Sequence, residues 1–138
     1  MDPLNRTMET TFIAWPQRRA IAIDIDLPFQ RVLTEWLGAR SYRVSFMALA
    51  AASFAGEPVD LVLCELAAPR EANMQALHMI ARLYRAPLIA ISSRFVAGAG
   101  RAALGRQLGV DAGLAKPFSR DDLYGALDAL AAARDGGN

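Results

Sequence analysis

The chain has 138 residues, of which 54% are hydrophobic, and its 15 basic and 14 acidic residues leave a formal net charge of +1. This length favours one domain with a sizeable core, and the near-neutral charge argues against binding nucleic acid or an anionic membrane through bulk charge. Cys64 is the only cysteine, which excludes a disulfide framework and a cysteine-based zinc site and agrees with a reducing compartment.

Residues 1–17 lack the basic and then apolar plan of a signal peptide. The longest uncharged run, residues 44–56, is too short to span a membrane. We therefore expect a cytoplasmic protein with no membrane contact. We interpret residues 1–17 as a partly disordered extension, residues 18–134 as one domain and residues 135–138 as a tail.

The first half of the domain predicts two strands, the first of them buried, and two helices. A short apolar run predicts the first strand at residues 20–25, and Pro28 then opens a helix, where proline is tolerated. A partly β-branched stretch predicts a strand at 41–46, and the alanine-rich residues 47–55 predict a helix that ends before Pro58.

The second half continues the alternation of strands and helices and ends on a helix that Ser119 caps. In chain order its elements are a strand at 59–65, a helix at 71–84, a strand at 87–91, a glycine-weakened helix at 95–108, a strand at 112–115 and the last helix. Five apolar strands alternating with five helices predict a three-layer α/β fold around a parallel sheet. The favoured strand order is the flavodoxin-like 2-1-3-4-5.

Four of the predicted strands end in polar side chains. Because the carboxyl ends of parallel strands meet at one edge of a sheet, these side chains are expected to lie together. Carboxylates there can hold a divalent cation, and a hydroxyl and an ammonium group can hold phosphate oxygens, as a phosphoryl-transfer site requires. The residues concerned are Asp24, Asp26, Glu65, Ser92, Ser93 and Lys116.

Over residues 19–131 the chain resembles the CheY-like receiver domains of two-component response regulators. The segment Lys116-Pro117-Phe118 after a short strand is the most specific match. The resemblance implies a signalling protein rather than an enzyme, whose partners are a sensor histidine kinase, a phosphotransfer protein or an output protein. The matching pieces are residues 23–28 with Arg31, 59–65 with Pro69, 87–92, and 109–111 with 116–118.

The phosphoacceptor position departs from the family's pattern. Receivers accept phosphate on an aspartate after the third strand, and here that position is Glu65. Their hydroxyl after strand four matches Ser92 and their lysine matches Lys116, so these residues would line the equivalent phosphate site. The aromatic switch residue falls on Gly113, which together with Ser92 marks the switch-equivalent positions.

The metal site departs as well. The pair of adjacent acids that receivers carry after the first strand falls on Ile25 and Asp26. Only Asp26, with Glu65 beside it, could then bind Mg²⁺, and the expected site is weak. We expect no resident cofactor.

These departures predict an atypical receiver, or pseudo-receiver, with little or no phosphorylation. Glutamate is longer than aspartate by about 1.5 Å, and a displacement near 1 Å can cost about a hundredfold in rate. The Glu65 carboxylate could instead reach towards Ser92 and Lys116 and fix one state through a charge-assisted hydrogen bond.

Other interpretations remain open from the sequence. Glu65 and Lys116 could form an ion pair that only closes the sheet edge. Asp24 could cap the next helix or face solvent, and Ser92 could be a strand-end hydroxyl bonded to the backbone. The chain could be a small flavodoxin-like enzyme or nucleotide-binding protein, or a receiver that is phosphorylated inefficiently on Glu65. As a stand-alone module it would act by binding a partner or as a homodimer. The homodimer would form through the face of helix 4 (95–108), strand 5 (112–115) and helix 5, the last predicted helix.

Overall fold

Five strands form one parallel sheet in this computed structural model, which describes residues 17–53, 58–67, 71–95, 105–106 and 108–136. The order is β2-β1-β3-β4-β5, and every neighbouring pair is parallel. The predicted flavodoxin-like order is therefore confirmed. The strands are β1 Arg18–Ile23, β2 Tyr42–Met47, β3 Leu61–Glu65, β4 Leu88–Ser92 and β5 Ala112–Ala115.

Four helices accompany the sheet in the described part of the chain, where the sequence predicted five. Most of the predicted helix at 95–108 lies outside the described residues, and residues 105, 106 and 108 are helical. None of the described helices is long and apolar enough to cross a membrane. The four are α1 Leu27–Gly38, α2 Leu49–Ala52, α3 Glu71–Tyr84 and α4 Arg120–Gly136.

The core is split into two apolar layers by the sheet. Successive residues of β3 alternate between them: Leu61 and Leu63 pack with α1 and α4, whereas Val62 and Cys64 pack with α2 and α3. This explains why β3 is a continuous apolar run, since a strand covered on both faces has no position that favours a polar side chain. The carboxyl ends of the strands lie between these two layers, where the polar side chains are found.

Several predicted boundaries differ from the observed ones, and two of the differences lie at the carboxyl edge of the sheet. β1 ends at Ile23 rather than at residue 25, because Asp24 takes a φ of 61° in the left-handed region and turns the chain out of the sheet. β2 continues to Met47, in register with Ile23, so the following helix begins at Leu49 rather than at residue 47. Residues 54 and 55 of that predicted helix lie outside the described residues.

Candidate functional site

Three charged side chains meet at the carboxyl edge of the sheet. The Lys116 ammonium donates to both carboxylate oxygens of Glu65, at 3.1 Å and 3.2 Å. It also lies 3.5 Å from Oδ2 of Asp26. The Lys116 and Glu65 side chains are each 22% exposed, whereas Asp26 is 58% exposed. The Glu65–Lys116 pair is therefore largely shielded from water, and Asp26 forms its solvent-facing side.

The ends of three elements bring these residues together. Glu65 is the last residue of β3 and pairs with Ile91 of β4, which fixes its height on the sheet. Lys116 follows β5, its backbone N–H donates to the carbonyl of Ser92 at 2.9 Å, and its peptide bond to Pro117 is cis. Asp26 comes from the turn after β1, which is the neighbour of β3 on the side away from β4 and β5.

Asp26 also starts helix α1. Its Oδ1 accepts a hydrogen bond from the backbone N–H of Phe29 at 2.9 Å, and Pro28 lies in the first turn. A carboxylate at this position satisfies one of the free N–H groups at a helix start and interacts favourably with the helix dipole. Asp26 thus has two functions, one oxygen capping α1 and the other facing Lys116.

An aromatic wall completes the site. The Phe29 ring centroid lies 4.8 Å from the Lys116 ammonium, a cation–π distance. Phe118 contacts Phe29 edge to face at 5.4 Å, and Trp36 lies behind both rings. An open groove of about 420 Å³ lies against this wall. It is lined by Phe29, Glu65, Ser93, Lys116, Pro117 and Phe118.

The sequence interpretation missed Phe29. The available signal was its position three residues after the capping Asp26, which places both on the first turn of α1 and at the same edge of the sheet. Ser93, which the sequence placed at the end of strand four, is exposed and lines the groove.

Ser92 is placed differently from the hypothesis that paired it with Glu65. Its side chain is fully buried, and its hydroxyl accepts a hydrogen bond from the backbone N–H of Arg94 at 3.0 Å. In the described part of the chain, the recorded hydrogen bonds of the Glu65 carboxylate go to Lys116. The Ser92 hydroxyl therefore bonds to the backbone at the end of β4.

Gly113 and Asp24 lie away from the charged cluster. Gly113 is buried within β5 opposite Ala90, where it has no side chain that could move between two positions. Asp24 accepts a hydrogen bond from the backbone N–H of Leu49 at 3.2 Å, so it caps the start of α2. The sequence left open that Asp24 caps the next helix, but that helix, α1, is capped by Asp26, and Asp24 lies instead at the start of α2.

Cys64 lies next to the site, but its thiol is unreactive. Burial, together with the negative charges of Asp24 and Glu65, raises the pKa of its thiol to about 12. A thiol is a nucleophile only as the thiolate. Cys64 therefore stays protonated at neutral pH and serves as a small core residue.

The donor set fits Mg²⁺ poorly. Both carboxylates that could bind the ion, those of Asp26 and Glu65, face the Lys116 ammonium. Within the ranges that the structure describes, no group of three His, Cys, Asp or Glu side chains is arranged to hold a metal. A divalent cation would have to displace the Lys116 ammonium from both carboxylates. With the ammonium in place, the cluster of Lys116, Asp26 and Glu65 has a formal charge of −1.

No protein-family model and no curated protein matches this chain. Solved structures do match. The non-phosphorylated HemR receiver domain from Leptospira biflexa is 24% identical, with 82% of this chain and 93% of that chain covered and a TM-score of 0.63. A CheY-like receiver domain protein from Methanospirillum hungatei is 18% identical, with 89% and 100% covered and a TM-score of 0.66.

A third match is the receiver domain of a sensor histidine kinase from Pseudomonas aeruginosa, whose structure has a magnesium ion in the active-site cleft. It is 24% identical, with 83% of this chain and 97% of that chain covered and a TM-score of 0.61. These similarities show that the chain has the CheY-like receiver fold.

Proposed function

We propose that this chain is an atypical receiver module of two-component signal transduction. It acts in the cytoplasm by binding a protein partner, with little or no phosphorylation of Glu65. The observation that carries the proposal is the contact of the Lys116 ammonium with both Glu65 oxygens.

The ion pair opposes phosphoryl transfer in two ways. An attacking carboxylate oxygen must be in line with the phosphorus, and both oxygens of Glu65 are held by charge-assisted hydrogen bonds. The transition state also needs positive charge on the phosphoryl oxygens. Here the positive charge of Lys116 is already neutralised by Glu65 and Asp26. Both effects favour a site that stays unmodified.

The switch-equivalent positions support the same proposal. Ser92 is buried and bonded to the backbone N–H of Arg94, and Gly113 has no side chain. Neither residue provides a group that would move on phosphorylation. We infer that the Glu65–Lys116 pair holds the domain in one conformation and that the protein binds its partner in this conformation.

The proposed partners are a sensor histidine kinase, a phosphotransfer protein or an output protein. Homodimerisation would use β5, α4 and the helix predicted at residues 95–108, most of which lies outside the described residues. Against an enzyme on the same fold, the groove at the sheet edge is open, and it contains an ion pair rather than a nucleophile and its base.

Intact mass spectrometry after incubation with Mg²⁺ and a small acyl phosphate tests the proposal. We expect the chain to keep its unmodified mass. A slowly growing partial adduct on Glu65 would support the alternative of inefficient phosphorylation, and an adduct approaching one phosphoryl group per chain would contradict the proposal.

Two variants serve as controls. Glu65→Asp shortens the side chain and is the variant in which we expect phosphoryl uptake to increase. Glu65→Gln removes the acceptor, so any adduct that survives this substitution lies elsewhere. Circular dichroism of each variant separates loss of the fold from a change in reactivity.

A further inference from the structure

The amino-terminal edge of the sheet, opposite Glu65, contains a second and larger concavity. A groove of about 570 Å³ shares Arg18, Arg40 and Asp60 with a neighbouring groove of about 690 Å³. It shares Asp60, Pro87 and Arg134 with a third of about 440 Å³. The three therefore form one continuous surface, which we name the arginine groove, running beneath β2, β1, β3 and β4.

Four arginines line this groove, namely Arg18, Arg40, Arg85 and Arg134. Arg18, Arg85 and Arg134 are exposed. In the described ranges, none of these three guanidinium groups is within ion-pair distance of a carboxylate. Their charges are thus available to a ligand.

The three carboxylates of the groove already accept hydrogen bonds from groups of the protein, and together with the four arginines they leave the groove a formal charge of +1. Asp60 and Asp111 each cap the backbone at a strand start, and Asp128 pairs with a side chain. The contacts are Asp60 Oδ2 with Arg19 N at 2.8 Å, Asp111 Oδ2 with Leu88 N at 2.8 Å, and Asp128 Oδ1 with Arg40 Nη1 at 2.9 Å.

The floor of the groove is apolar. Leu61, Pro87, Leu127 and Leu130 line it where the sheet edge meets α4. A ligand that fits must therefore present negative charge towards the arginine rim and apolar groups towards the floor. An extended peptide does this when acidic and apolar residues alternate, because successive side chains of an extended chain point in opposite directions.

We propose that the arginine groove binds an extended acidic segment of a partner protein. Four adjacent strands span three gaps of about 4.8 Å, or roughly 14 Å, which an extended peptide covers with about four to five residues. Guanidinium groups bind carboxylates in a bidentate geometry, so Arg18, Arg85 and Arg134 would recognise acidic side chains. This surface is independent of the Glu65 site and does not depend on the function proposed for it.

A peptide fits the groove better than a nucleic acid does. Single-stranded nucleic acids are held by aromatic rings on which the bases stack. Tyr42 is the aromatic side chain among the lining residues, and Arg18 already lies over its ring at 5.7 Å from the centroid. The apolar floor also offers no donors or acceptors to base edges.

Fluorescence polarisation with a labelled hexapeptide of alternating glutamate and leucine tests the proposal. We expect saturable binding that weakens as salt is raised, because exposed charges are screened. Arg18→Glu and Arg134→Glu should each weaken binding by about tenfold or more, which corresponds to about 1.4 kcal/mol. The matched control is Arg31→Glu, an exposed arginine of α1 outside the groove, which should leave binding unchanged.

Four results would overturn the proposal. Three are the absence of saturable binding to the folded protein, an equal loss of binding in Arg31→Glu, and tighter binding of an oligothymidylate of the same length. A lysine–leucine hexapeptide that binds as well as the acidic one would also refute it. Thermal unfolding of each variant shows whether a lost signal reflects the groove or the fold.

Discussion

Glu65 reaches Lys116 with both carboxylate oxygens, at 3.1 Å and 3.2 Å. An aspartate at the same position would end about 1.5 Å earlier. At the scale of single residues, the proposal that Glu65 is a poor phosphoryl acceptor rests on this one methylene group and on the contact with Lys116.

The His78 side chain lies against the backbone at Leu108 and Gly109, where there is no room for a Cβ atom on residue 109. His78 Nε2 lies 2.7 Å from the carbonyl oxygen of Leu108, so this nitrogen carries the proton and donates. Gly109 follows with a φ of 72°, and a Cβ there would lie 2.9 Å from the same nitrogen. The residue therefore needs both the conformational freedom and the small size of glycine.

We predict that Gly109→Ala destabilises the fold by about 1–3 kcal/mol, because the variant combines left-handed strain with a steric clash. Urea unfolding measures the change. Gly38→Ala is the matched control, since Gly38 is helical and nothing lies within 4 Å of its added Cβ. It should be neutral or stabilising by up to about 1 kcal/mol. Equal losses in the two variants would contradict the prediction.

At the scale of elements, the start of α1 is linked to the charged cluster through Asp26. One oxygen caps the helix at Phe29 N and the other faces Lys116 at 3.5 Å. The cap is a direct hydrogen bond, whereas the ion pair is long and more than half exposed on the Asp26 side. We therefore expect the cap to account for most of the contribution of Asp26 to stability.

We predict that Asp26→Ala lowers the free energy of unfolding by about 1 kcal/mol, as loss of an N-cap does. Asp26→Ser should recover most of that loss, because the serine hydroxyl also caps helices but has no charge for Lys116. Chemical denaturation of both variants measures the difference. If Asp26→Ser is as unstable as Asp26→Ala, then the ion pair rather than the cap stabilises this end of α1.

The other end of α1 is tied to α4. Arg40, just after α1, donates to Asp128 at 2.9 Å and lies over the Tyr124 ring at 4.2 Å. The hydrogen bond from Arg40 lowers the pKa of the Asp128 carboxyl below its usual value. The Tyr124 hydroxyl donates to the carbonyl of Trp36 at 2.7 Å, which adds a second link between the two helices.

The Arg40–Asp128 pair predicts that the stability of the fold depends on pH. Because the pKa of Asp128 is lower in the folded state, its contribution to stability is present above the unfolded pKa of 3.8 and is lost as the pH falls through the folded pKa. Wild type should have a higher urea midpoint than Asp128→Asn at neutral pH, and the difference should vanish in acid. A difference that grows in acid would contradict this assignment. The effect is small, because the pair is exposed and is screened by salt.

At the scale of the whole molecule, the sequence predicts the sheet well. The apolar runs of β3 and β4 have the composition of strands buried on both faces, and their carboxyl ends share one edge, which places Glu65 near Lys116. Strand boundaries were less predictable, because the left-handed φ of Asp24 leaves no mark in the apolar pattern.

The details of the site depend on tertiary packing that no local pattern encodes. The position of Phe29 over Lys116 depends on the angle at which α1 packs against the sheet. The rotation of the buried Ser92 hydroxyl towards Arg94 N depends on the turn after β4. The arginine groove combines residues from Arg18 to Arg134, so it exists only once the chain is folded.

The near-neutral net charge conceals a separation of charge across the sheet. The Glu65 cluster at the carboxyl edge has a formal charge of −1, whereas the arginine groove at the other edge has four arginines and three aspartates. A partner that binds one edge leaves the other free.

The most direct test of the account uses Lys116, the only lysine of the chain. Its side-chain ammonium gives a single nitrogen resonance in an NMR spectrum of the ¹⁵N-labelled protein. We predict that this resonance is detectable in wild type, is lost or shifted in Glu65→Gln, and does not move when Mg²⁺ and an acyl phosphate are added. A wild-type resonance that moves in that mixture would show that Lys116 leaves Glu65 for a phosphoryl group, and it would contradict the account.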